Sequence, residues 1–428
     1  MPPERPRDAS PPARRRGIKG PLAHKQLALV GLDLGSSKTC AMVCYPKETG
    51  KLEVTGLGIA ESKGWRKGLI VNLDAAVLSI KKAVEAAESA AGIPIDVAYV
   101  GVGGSHIRGI NARGGVTIAN RGHGVGREDI RQVIRAAQGV ALPADRELLH
   151  VLPQEFLLDS QDGIRDPVGM VGTRLEANVH LVTASTLAWQ NVITAVNRAG
   201  IEVPESGTVF EPLACAETCL TADDRELGVA LVDLGAGSTG MIIYHHGGVR
   251  HTASIPVGGE HFTNDIAVGL RTPIPEAEKI KRLWGRQDTG LAESSALEVP
   301  GVGERPARIV NYAKLREIIE PRAIELLELI KAEIDHADLE DQLGAGVVLT
   351  GGGAKLGGFA ALAEEILGLP VRVGYPMNME TTDEVLPDPS YSTVVGLVAY
   401  GKRMRLLQDH QNKGLMGKLW GVLRGPGN

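Results

Sequence analysis

Two segments of similar sequence constrain the fold of this chain more than any other feature. The first, residues 29–39, reads LVGLDLGSSKT, and the second, residues 230–240, reads ALVDLGAGSTG. Each is an apolar run followed by Asp-x-Gly and hydroxyl residues, and a second apolar run comes next (residues 40–45 and 241–244). Apolar runs joined by such a turn are typical of β-hairpins. The repeat therefore predicts a duplicated α/β domain with a cleft between its two halves.

The two turns carry the residue types that bind phosphate. Glycine lets the backbone approach phosphate oxygens and point N–H groups at them, and hydroxyls add further donors. Lys38 supplies positive charge near the β- and γ-phosphates, whereas Asp33 and Asp233 would repel phosphate and are predicted to hold Mg²⁺ through water. The predicted nucleotide-binding residues of the turns are Asp33, Gly35, Ser36, Ser37 and Lys38, and Asp233, Gly235, Gly237, Ser238 and Thr239.

A third glycine-rich segment, residues 347–358, reads VVLTGGGAKLGG. It predicts a strand that enters a triple-glycine turn and then a helix. Gly351, Gly352 and Gly353 have no side-chain bulk, so the turn can pass beneath a nucleoside, with Lys355 beside it. The alternative, a tight connection between strand and helix, would not require three successive glycines.

Two further segments complete a candidate site. Glu211 opens an apolar helix before the second turn and is predicted to face the cleft and orient an attacking water, in a catalytic role together with Asp233. The alternative for Glu211 is a favourable charge at a helix N-terminus. Glu278 and Lys281 lie in a charged helical turn, which indicates either a clamp on purine and ribose or a solvated face.

The last residues of the chain predict an amphipathic helix. Its apolar residues recur with helical spacing and form one stripe, which suits a helix that lies among anionic lipid headgroups. The alternative is a terminal helix docked on the protein body, and the polar segment 408–412 predicts a break before this helix. The predicted membrane residues are Leu415, Met416, Leu419, Trp420 and Leu423 on the stripe, with Lys418 and Arg424 beside it.

The remaining composition excludes several classes of protein. The net charge of -5 provides no global basic field for nucleic acid. Four cysteines, in two pairs spaced by four, predict buried reduced thiols rather than a disulfide framework or a metal site. No apolar run reaches the roughly 18 residues of a membrane-spanning helix. Residues 1–20, rich in Pro and Arg, predict a disordered tail or a weak electrostatic contact with an anionic surface.

The glycine-rich turns and the cleft glutamate together resemble the actin, Hsp70 and sugar-kinase superfamily. Within it, the first turn and several further segments resemble the FtsA family of bacterial cell division proteins. These further segments are GVGGSHI (101–107), LHVLPQEF (149–156), DPVGM (166–170), RLEA (174–177), VHLVT (179–183), EVPG (298–301), IEPR (319–322) and YSTVVGL (391–397), followed by the C-terminal helix.

This resemblance implies duplicated ribonuclease-H-like α/β domains around a nucleotide cleft. One small subdomain of the actin fold is replaced by an FtsA-type subdomain resembling the SHS2 fold. The implied division is a basic Pro-rich tail (1–26), subdomain 1A (27–104, 183–207 and 386–409), subdomain 1C (105–182), subdomain 2A (208–258 and 325–385), subdomain 2B (259–324), and a linker with the membrane helix (410–428). Within subdomain 1C, residues 129–138 independently predict a short helix.

The resemblance also implies a function. Family members bind ATP, form filaments and tether FtsZ polymers to the inner face of the cytoplasmic membrane at the division septum, where later division proteins join. Subdomain 2B receives the C-terminal peptide of FtsZ, with Arg305 and Arg308 as candidate contacts here. Hydrolysis of ATP is expected to be slow at most, since the second turn reads Gly-Ala-Gly-Ser instead of three glycines and a threonine. The alternatives are a pilus-assembly-type or rod-shape actin homologue, a soluble kinase and an Hsp70-like ATPase.

Overall fold

A computed structural model describes residues 28–118, 124–284, 296–303, 305–381 and 387–423, the last fifteen of these by their backbone alone. The strands are β1 Leu29–Leu34, β2 Lys38–Pro46, β3 Leu52–Glu61, β4 Trp65–Arg66, β5 Leu69–Ile70, β6 Tyr99–Val102, β7 Arg108–Thr117, β8 Arg146–Leu158, β9 Gln161–Ile164, β10 Arg174–Ser185, β11 Thr208–Phe210, β12 Val229–Leu234, β13 Thr239–His245, β14 Gly248–Ile255, β15 Ala296–Val299, β16 Arg308–Asn311, β17 Val347–Thr350, β18 Val371–Val373 and β19 Met379–Glu380.

The helices connect and cover these strands. They are α1 Leu73–Ala91, α2 Arg127–Gln138, α3 Thr186–Arg198, α4 Glu211–Cys219, α5 Ala222–Leu227, α6 Gly259–Gly269, α7 Ile274–Trp284, α8 Tyr312–His336, α9 Phe359–Leu367 and α10 Ser392–Leu423, with 3₁₀ turns at Glu340–Gln342, Gly352–Lys355 and Pro389–Tyr391.

Two large sheets share one topology, which confirms the predicted duplication. The first has the order β11-β6-β1-β2-β3-β19, and the second has the order β14-β13-β12-β17-β18. In both, three antiparallel strands in sequence are followed by two parallel strands on the far side of the first strand. This is the ribonuclease-H-like arrangement that the sequence predicted. Every residue of β1 and β12 is buried, as expected for central strands covered on both faces.

An antiparallel sheet of four strands, β7-β10-β8-β9, is inserted after β6. Helix α2 packs on this sheet with Val133 and Ala137 fully buried, and it confirms the helix predicted for residues 129–138. The helix begins at Arg127 because the Asp129 side chain accepts a hydrogen bond from the Gly126 N–H at 2.8 Å. A separate apolar core, which includes Phe156, Leu175 and Val179, holds the inserted sheet to this helix.

Helix α10 differs from its prediction. It packs with its first turns on α4 and β1, and its backbone stays helical from Ser392 to Leu423 without a break at residues 408–412. Those five residues include neither proline nor glycine, and each costs less than about 0.7 kcal/mol relative to alanine in a helix, so the polar segment continues the helix. Among the described residues, no helix is both long and apolar enough to span a bilayer.

All four cysteines are free and buried in the structure. Burial raises the pKa of the Cys40 thiol to about 12 and raises that of Cys215 well above its usual range. The prediction of reduced structural thiols is confirmed.

Candidate functional site

The two glycine-rich turns face each other across the cleft between the large sheets. The first follows β1 and the second follows β12. A Cβ atom on Gly237 would overlap Ser36 Oγ and would lie 3.1 Å from both Ser36 Cβ and Lys67 Cα. Only glycine at position 237 allows so close an approach. The structure therefore brings together the two turns that the sequence predicted as a pair.

A cavity of about 50 Å³ lies between the turns. Sites for small molecules usually measure about 300–1,000 Å³. The two halves must therefore move apart before a nucleoside triphosphate can enter between the turns. The polar and glycine residues of the wall are Gly35, Ser36, Gly68, Gly101, Gly103, Gly104, Glu211, Asp233, Gly235, Gly237, Ser238 and Gly240.

Two carboxylic acids, Glu211 and Asp233, line this cavity, and Asp33 interacts electrostatically with both. Burial, opposed by Lys38 and reinforced by Asp233, raises the pKa of Asp33 to about 7. Burial raises the pKa of Asp233 to about 6. The pKa of Glu211 is raised well above its usual range, first by burial and then by the two aspartates. Neighbouring carboxyl groups that resist ionisation favour the binding of a cation or a role in proton transfer.

A metal ion at this cavity would have few protein ligands. Within the described parts of the chain, no three His, Cys, Asp or Glu side chains converge closely enough to hold a metal ion. Mg²⁺ usually keeps several waters and takes only one or two carboxylates plus phosphate oxygens. The pair Asp33 and Asp233 fits that manner of binding.

Glu211 reaches the cavity because it is the first residue of α4, directly after β11. Pro212 at the second position suits a helix start, where no backbone N–H is needed. A Cβ atom on Gly103 would overlap the Glu211 carboxyl group, and one on Gly101 would lie 3.4 Å from Glu211 Cγ. The glycines of segment 101–104 therefore make room for this side chain.

The triple-glycine turn lies against the second phosphate turn. Gly351 has a φ of +81°, and a Cβ atom there would overlap Asp233 Oδ1. A Cβ atom on Gly353 would lie 2.8 Å from Leu234 Cβ. Gly352, in contrast, would meet nothing closer than Ser390 Cβ at 3.9 Å. Packing thus requires glycine at positions 351 and 353, whereas the space beside Gly352 is open.

Lys38 lies apart from the cavity wall. Its ammonium group lies 3.6 Å from the centroid of the Tyr391 ring and 3.3 Å from Ser390 Oγ. Burial lowers the pKa of Lys38, although Cys40, Asp33 and Asp388 oppose that effect. Lys38, the first residue of β2, therefore contacts the residues just before α10. Its role at the phosphates stays a prediction.

Glu278 and Lys281 are engaged with each other beside the second turn. Lys281 Nζ lies 2.7 Å from Glu278 Oε2 and donates hydrogen bonds to Gly259 O and Thr263 Oγ1, both at 2.9 Å. A Cβ atom on Gly259 would lie 3.7 Å from Ala236 Cα, so this pair adjoins the second turn. Lys355, predicted beside the nucleoside, pairs with Asp388 at 2.5 Å.

A larger cavity of about 370 Å³ lies between α8 and α9. Its wall includes Trp284, Tyr312, Arg316, Leu356 and Phe359, and none of the predicted nucleotide-site residues belongs to it. Its volume falls within the usual range for a small ligand or a peptide side chain.

The remaining predicted residues lie far from the cleft turns or outside the described side chains. Arg305 is exposed, and Arg308 donates a hydrogen bond to Leu270 O, so Arg308 already has a structural partner. The side chains of Leu415, Met416, Lys418, Leu419, Trp420 and Leu423, and all of Arg424, lie outside the described part of the chain.

Sequence reasoning missed several residues at the cleft. Trp65 and Gly68 line the cavity, and the Gly68 N–H donates to Ser36 Oγ at 3.3 Å. Thr393, at the start of α10, lies 3.4 Å from Cys215 Sγ. Gly103 and Gly104 belong to segment 101–107, which carries the family resemblance, but no role at the cleft was predicted for them. Local spacing could not reveal these contacts because each partner is distant along the chain.

Comparisons with known proteins agree on one family. A model described as "Cell division protein FtsA" matches residues 230–396, and one described as "SHS2 domain inserted in FTSA" matches residues 104–183. The cell division protein FtsA of Pseudomonas aeruginosa is 46% identical over 374 residues, which is 87% of this chain and 89% of that protein. FtsA of Escherichia coli K12 is 37% identical, over 88% of this chain and 91% of that protein.

Solved structures show the same fold at low identity. A PilM-PilN type IV pilus biogenesis complex matches with a TM-score of 0.62 and 19% identity, over 87% of this chain and 98% of the matched chain. MreB5 of Spiroplasma citri bound to ADP matches with a TM-score of 0.54 and 13% identity, over 89% of this chain and 98% of that one. Both similarities support an actin-like body.

Proposed function

The chain belongs to the FtsA family of cell division proteins, and from this premise we propose that it binds ATP with Mg²⁺ and anchors FtsZ polymers to the inner face of the cytoplasmic membrane. Its cell division role follows from the family. The observation that carries the nucleotide proposal is the meeting of two matched glycine turns and the triple-glycine turn around Asp233.

The cleft supports a chemical role for each group. When bound, Mg²⁺-ATP supplies the phosphoanhydride bond and a divalent charge. Backbone N–H groups of the two turns are proposed to hold phosphate oxygens, since the glycines there bring no side chain of their own between backbone and ligand. Asp33 and Asp233 hold the cation through water and ionise fully once its charge offsets their burial. Glu211 orients the attacking water, and we expect hydrolysis to be slow.

The nucleoside is proposed to lie over Gly352, whose outer side is open. Glu278 and Lys281 are paired with each other on α7, beside the second turn. Their side chains are proposed to close one side of the nucleoside space. The contact of Lys38 with Tyr391 supports a second role for this lysine. In this role, the ammonium group contacts Tyr391 in one state of the cleft and the phosphates in the other.

Membrane attachment is proposed for the last turns of α10. The stripe formed by residues 415, 416, 419, 420 and 423 places leucine, methionine and tryptophan on one face, with cations beside it. A single short amphipathic helix binds reversibly, so filament formation would supply the many tails that hold the protein on the membrane. The continuous helix places this stripe at a fixed distance from the body.

The partner surface is proposed on residues 259–324. Arg305 is exposed and remains available for acidic groups of the FtsZ C-terminal peptide, whereas Arg308 holds the fold through Leu270. Later division proteins are proposed to join the filament at the septum. None of these proposed partners is a nucleic acid.

Vesicle flotation with and without Mg-ATP tests this function. We expect the full chain to float with anionic vesicles, ATP to increase the bound amount cooperatively, and a version ending at Asn412 to remain in solution. Leu419→Glu should abolish flotation because it places a charge on the stripe. Gly421→Glu adds the same charge on the opposite face and is the matched control. If the full chain remains in solution with and without ATP, the membrane proposal fails and a soluble ATPase takes its place.

A further inference from the structure

A short hairpin lies at the point where the two glycine-rich turns meet. Strands β4 and β5 pair antiparallel, and Lys67 and Gly68 form the two-residue turn between them. Both residues have a positive φ, +53° at Lys67 and +76° at Gly68, as in a type I′ turn. The tip of the hairpin is therefore a tight turn that carries a lysine.

The hairpin is fixed to the first half of the molecule and touches the second half. The Gly68 N–H donates a hydrogen bond at 3.3 Å to Ser36 Oγ in the first glycine-rich turn. A Cβ atom on Gly104 would lie 3.2 Å from Gly68 Cα. Across the cleft, a Cβ atom on Gly237 would lie 3.1 Å from Lys67 Cα. Lys67 thus stands at the boundary between the two halves.

The tip also lies at the end of the cleft where the proposed reaction takes place. Gly104, which packs on Gly68, directly follows Gly103 in the chain. The Glu211 carboxyl group fills the space beside Gly103. In the proposed function, Glu211 orients the water that attacks the terminal phosphate of ATP. That phosphate must lie beside this water, and hence near the tip of the hairpin.

The wall of this cavity contains acids but no cation. It includes Glu211 and Asp233, and among its described residues there is neither lysine nor arginine. Lys38 contacts Ser390 and Tyr391 instead. Proteins commonly bind phosphate through the charged groups of lysine or arginine. The closed cleft therefore lacks a protein cation for the terminal phosphate.

Lys67 is suited to supply this cation. Its side chain is exposed, and it has no hydrogen bond or ion pair within the described part of the chain. Its flexible four-carbon stem ends in three donors. Asparagine, aspartate and glycine are the residues that the first central position of a type I′ turn favours. A lysine at that position is less favourable for the turn, and backbone strain of this kind motivates a functional role.

Trp65 adds a second donor at the base of the hairpin. It lines the cavity, and its indole Nε1 is buried without a hydrogen-bond partner among the described residues. The N–H group of a buried tryptophan usually has a partner. An oxygen atom bound in the cavity would supply one.

We propose that Lys67 binds the terminal phosphate of the nucleotide, so that the closed form depends on a triphosphate. This inference rests on the proposed nucleotide function and names the side chain that distinguishes ATP from ADP. The ammonium group reaches the phosphate from the first half, while N–H groups of the second turn hold it from the other side. The phosphate then joins the two halves, and its loss after hydrolysis lets them separate more readily.

Competition titrations of the full chain with ATP and with ADP, in excess Mg²⁺ and against one fluorescent nucleotide, test the proposal. Lys67→Asn removes the charge but suits the left-handed turn, so the hairpin is preserved and the melting temperature without nucleotide should not fall. We expect ATP to bind this variant about ten-fold or more weakly than the native chain, and ADP to bind both within about two-fold. Lys67→Arg keeps the charge and should keep the preference for ATP.

Arg66→Gln is the matched control. Successive residues of a strand point to opposite faces, and Trp65 lines the cavity, so Arg66 lies on the other face of the hairpin, where it is exposed. This variant loses the same charge one residue earlier. It should leave the affinities for ATP and ADP within about two-fold of the native values.

Three results would overturn the proposal and leave the proposed function standing, provided that the native chain binds ATP. They are unchanged ATP affinity in Lys67→Asn, an equal loss of ATP and ADP affinity in that variant, and an equally large loss of ATP preference in Arg66→Gln. The last would assign the effect to the general charge of the hairpin. If the native chain binds neither nucleotide, the proposed function and this inference fail together.

Discussion

At the level of single residues, the cleft is dominated by acids that burial keeps from ionising freely. Burial raises the pKa of all three acids, Asp33, Glu211 and Asp233. The two aspartates raise the pKa of Glu211 further. A group of this kind destabilises the ligand-free protein at neutral pH, because the ionised forms repel and lack water. It also creates affinity for a divalent cation, which removes the repulsion.

Asp33→Asn tests this balance through the pH dependence of stability. The folded protein holds a proton on Asp33 up to about pH 7, whereas the unfolded chain releases it near the ordinary pKa of an aspartate, 3.8. Folding stability therefore falls between these values as pH rises. We expect the asparagine variant to be more stable than the native protein at pH 8, by on the order of 1–4 kcal/mol, and similar to it at pH 4.

Urea unfolding in the presence of a chelator, at both pH values, gives the free energies to be compared. The matched control is Asp162→Asn, on the exposed strand β9, which should leave both free energies within about 0.5 kcal/mol. If Asp33→Asn changed the free energy of unfolding equally at pH 4 and pH 8, ionisation of Asp33 would have no part in that change.

Glu211→Gln separates binding from hydrolysis. The amide keeps the size of the side chain beside Gly103 but cannot accept a proton or orient water in the same way. We expect nucleotide affinity within about three-fold of the native value, and a hydrolysis rate lower by about 10²-fold or more. Fluorescent nucleotide titration and phosphate release measure the two quantities. Unchanged phosphate release would assign Glu211 to the helix N-terminus alone, which is the alternative interpretation of its charge.

The sequence predicts these acids well because each belongs to a short local pattern. Asp33 and Asp233 stand in Asp-x-Gly turns between apolar runs, and Glu211 opens an apolar helix. Lys38 belongs to the same turn as Asp33, but its contacts with Ser390 and Tyr391 join residues more than 350 positions apart. Such contacts depend on how two halves of the molecule meet, and no local spacing encodes that.

At the level of elements, the inserted sheet is held to the opposite half of the molecule. His180 on β10 lies between Asn111 on β7 and Thr252 on β14, with Nδ1 2.7 Å from Asn111 Oδ1 and Nε2 2.9 Å from Thr252 Oγ1. Gln154 on β8 donates to Val249 O on β14 at 2.7 Å. Strand β14 ends beside the second glycine-rich turn: its last residue, Ile255, pairs with Thr239, and Thr239 Oγ1 donates to Val257 O just after the strand at 2.8 Å. The insert therefore contacts a strand that ends at the nucleotide cleft.

His180→Ala should loosen this contact. The variant removes a hydrogen-bond partner of Thr252, which is buried, at about 1–3 kcal/mol for a buried group. Asn111 is exposed, and its Oδ1 still accepts a hydrogen bond from Gln154 Nε2. Burial lowers the pKa of His180 to about 4, below the usual value near 6.5. Between these two values the unfolded chain takes up a proton on the imidazole and the folded protein does not, so acidification through that interval lowers the stability of the native protein. The loss of stability caused by the alanine should thus be larger at pH 7.5 than at pH 5.

Hydrogen exchange locates the effect. We expect faster exchange in residues 248–255 of β14 and in β7 for His180→Ala, whereas Lys82→Ala, on the exposed side of α1, should leave both strands unchanged. Exchange that increases uniformly over the whole chain would indicate general destabilisation and no specific link between the insert and β14.

Helix α10 shows where element prediction fails. Periodicity correctly predicts a helix for its last turns, but the polar residues 408–412 suggest a break that the backbone does not have. Polar residues end a helix only when they cap it or when glycine or proline follows at once. The long helix is fixed instead by its first turns, where a Cβ atom on Gly31 would lie 2.7 Å from Val394 O and one on Gly396 would overlap Ala214 O.

At the level of the whole molecule, the structure is a closed form of a two-part body. The two glycine-rich turns touch at Ser36 and Gly237, and the space between them is about 50 Å³. The chain crosses between the two large sheets at β11–α4 and between β18 and β19. A triphosphate is far larger than the space between the turns. If ATP binds there as proposed, its exchange requires the halves to rotate apart about the two crossings.

A disulfide between the turns tests this requirement. Ser36→Cys with Gly237→Cys would place two Cβ atoms about 3.1 Å apart, so a shift of about half an ångström gives the 3.5–4.5 Å of a normal disulfide. The four native cysteines are buried and do not compete for oxidation. We expect the oxidised variant to exclude a fluorescent ATP analogue and the reduced variant to bind it, with Ser36→Cys alone insensitive to oxidation. The same oxidised protein should retain the fold, because the bridge only fixes a contact that the closed form already makes. Equal binding by the oxidised and reduced forms would mean that nucleotide enters without separating the turns, and the space over Gly352 would then have to serve as an independent entrance.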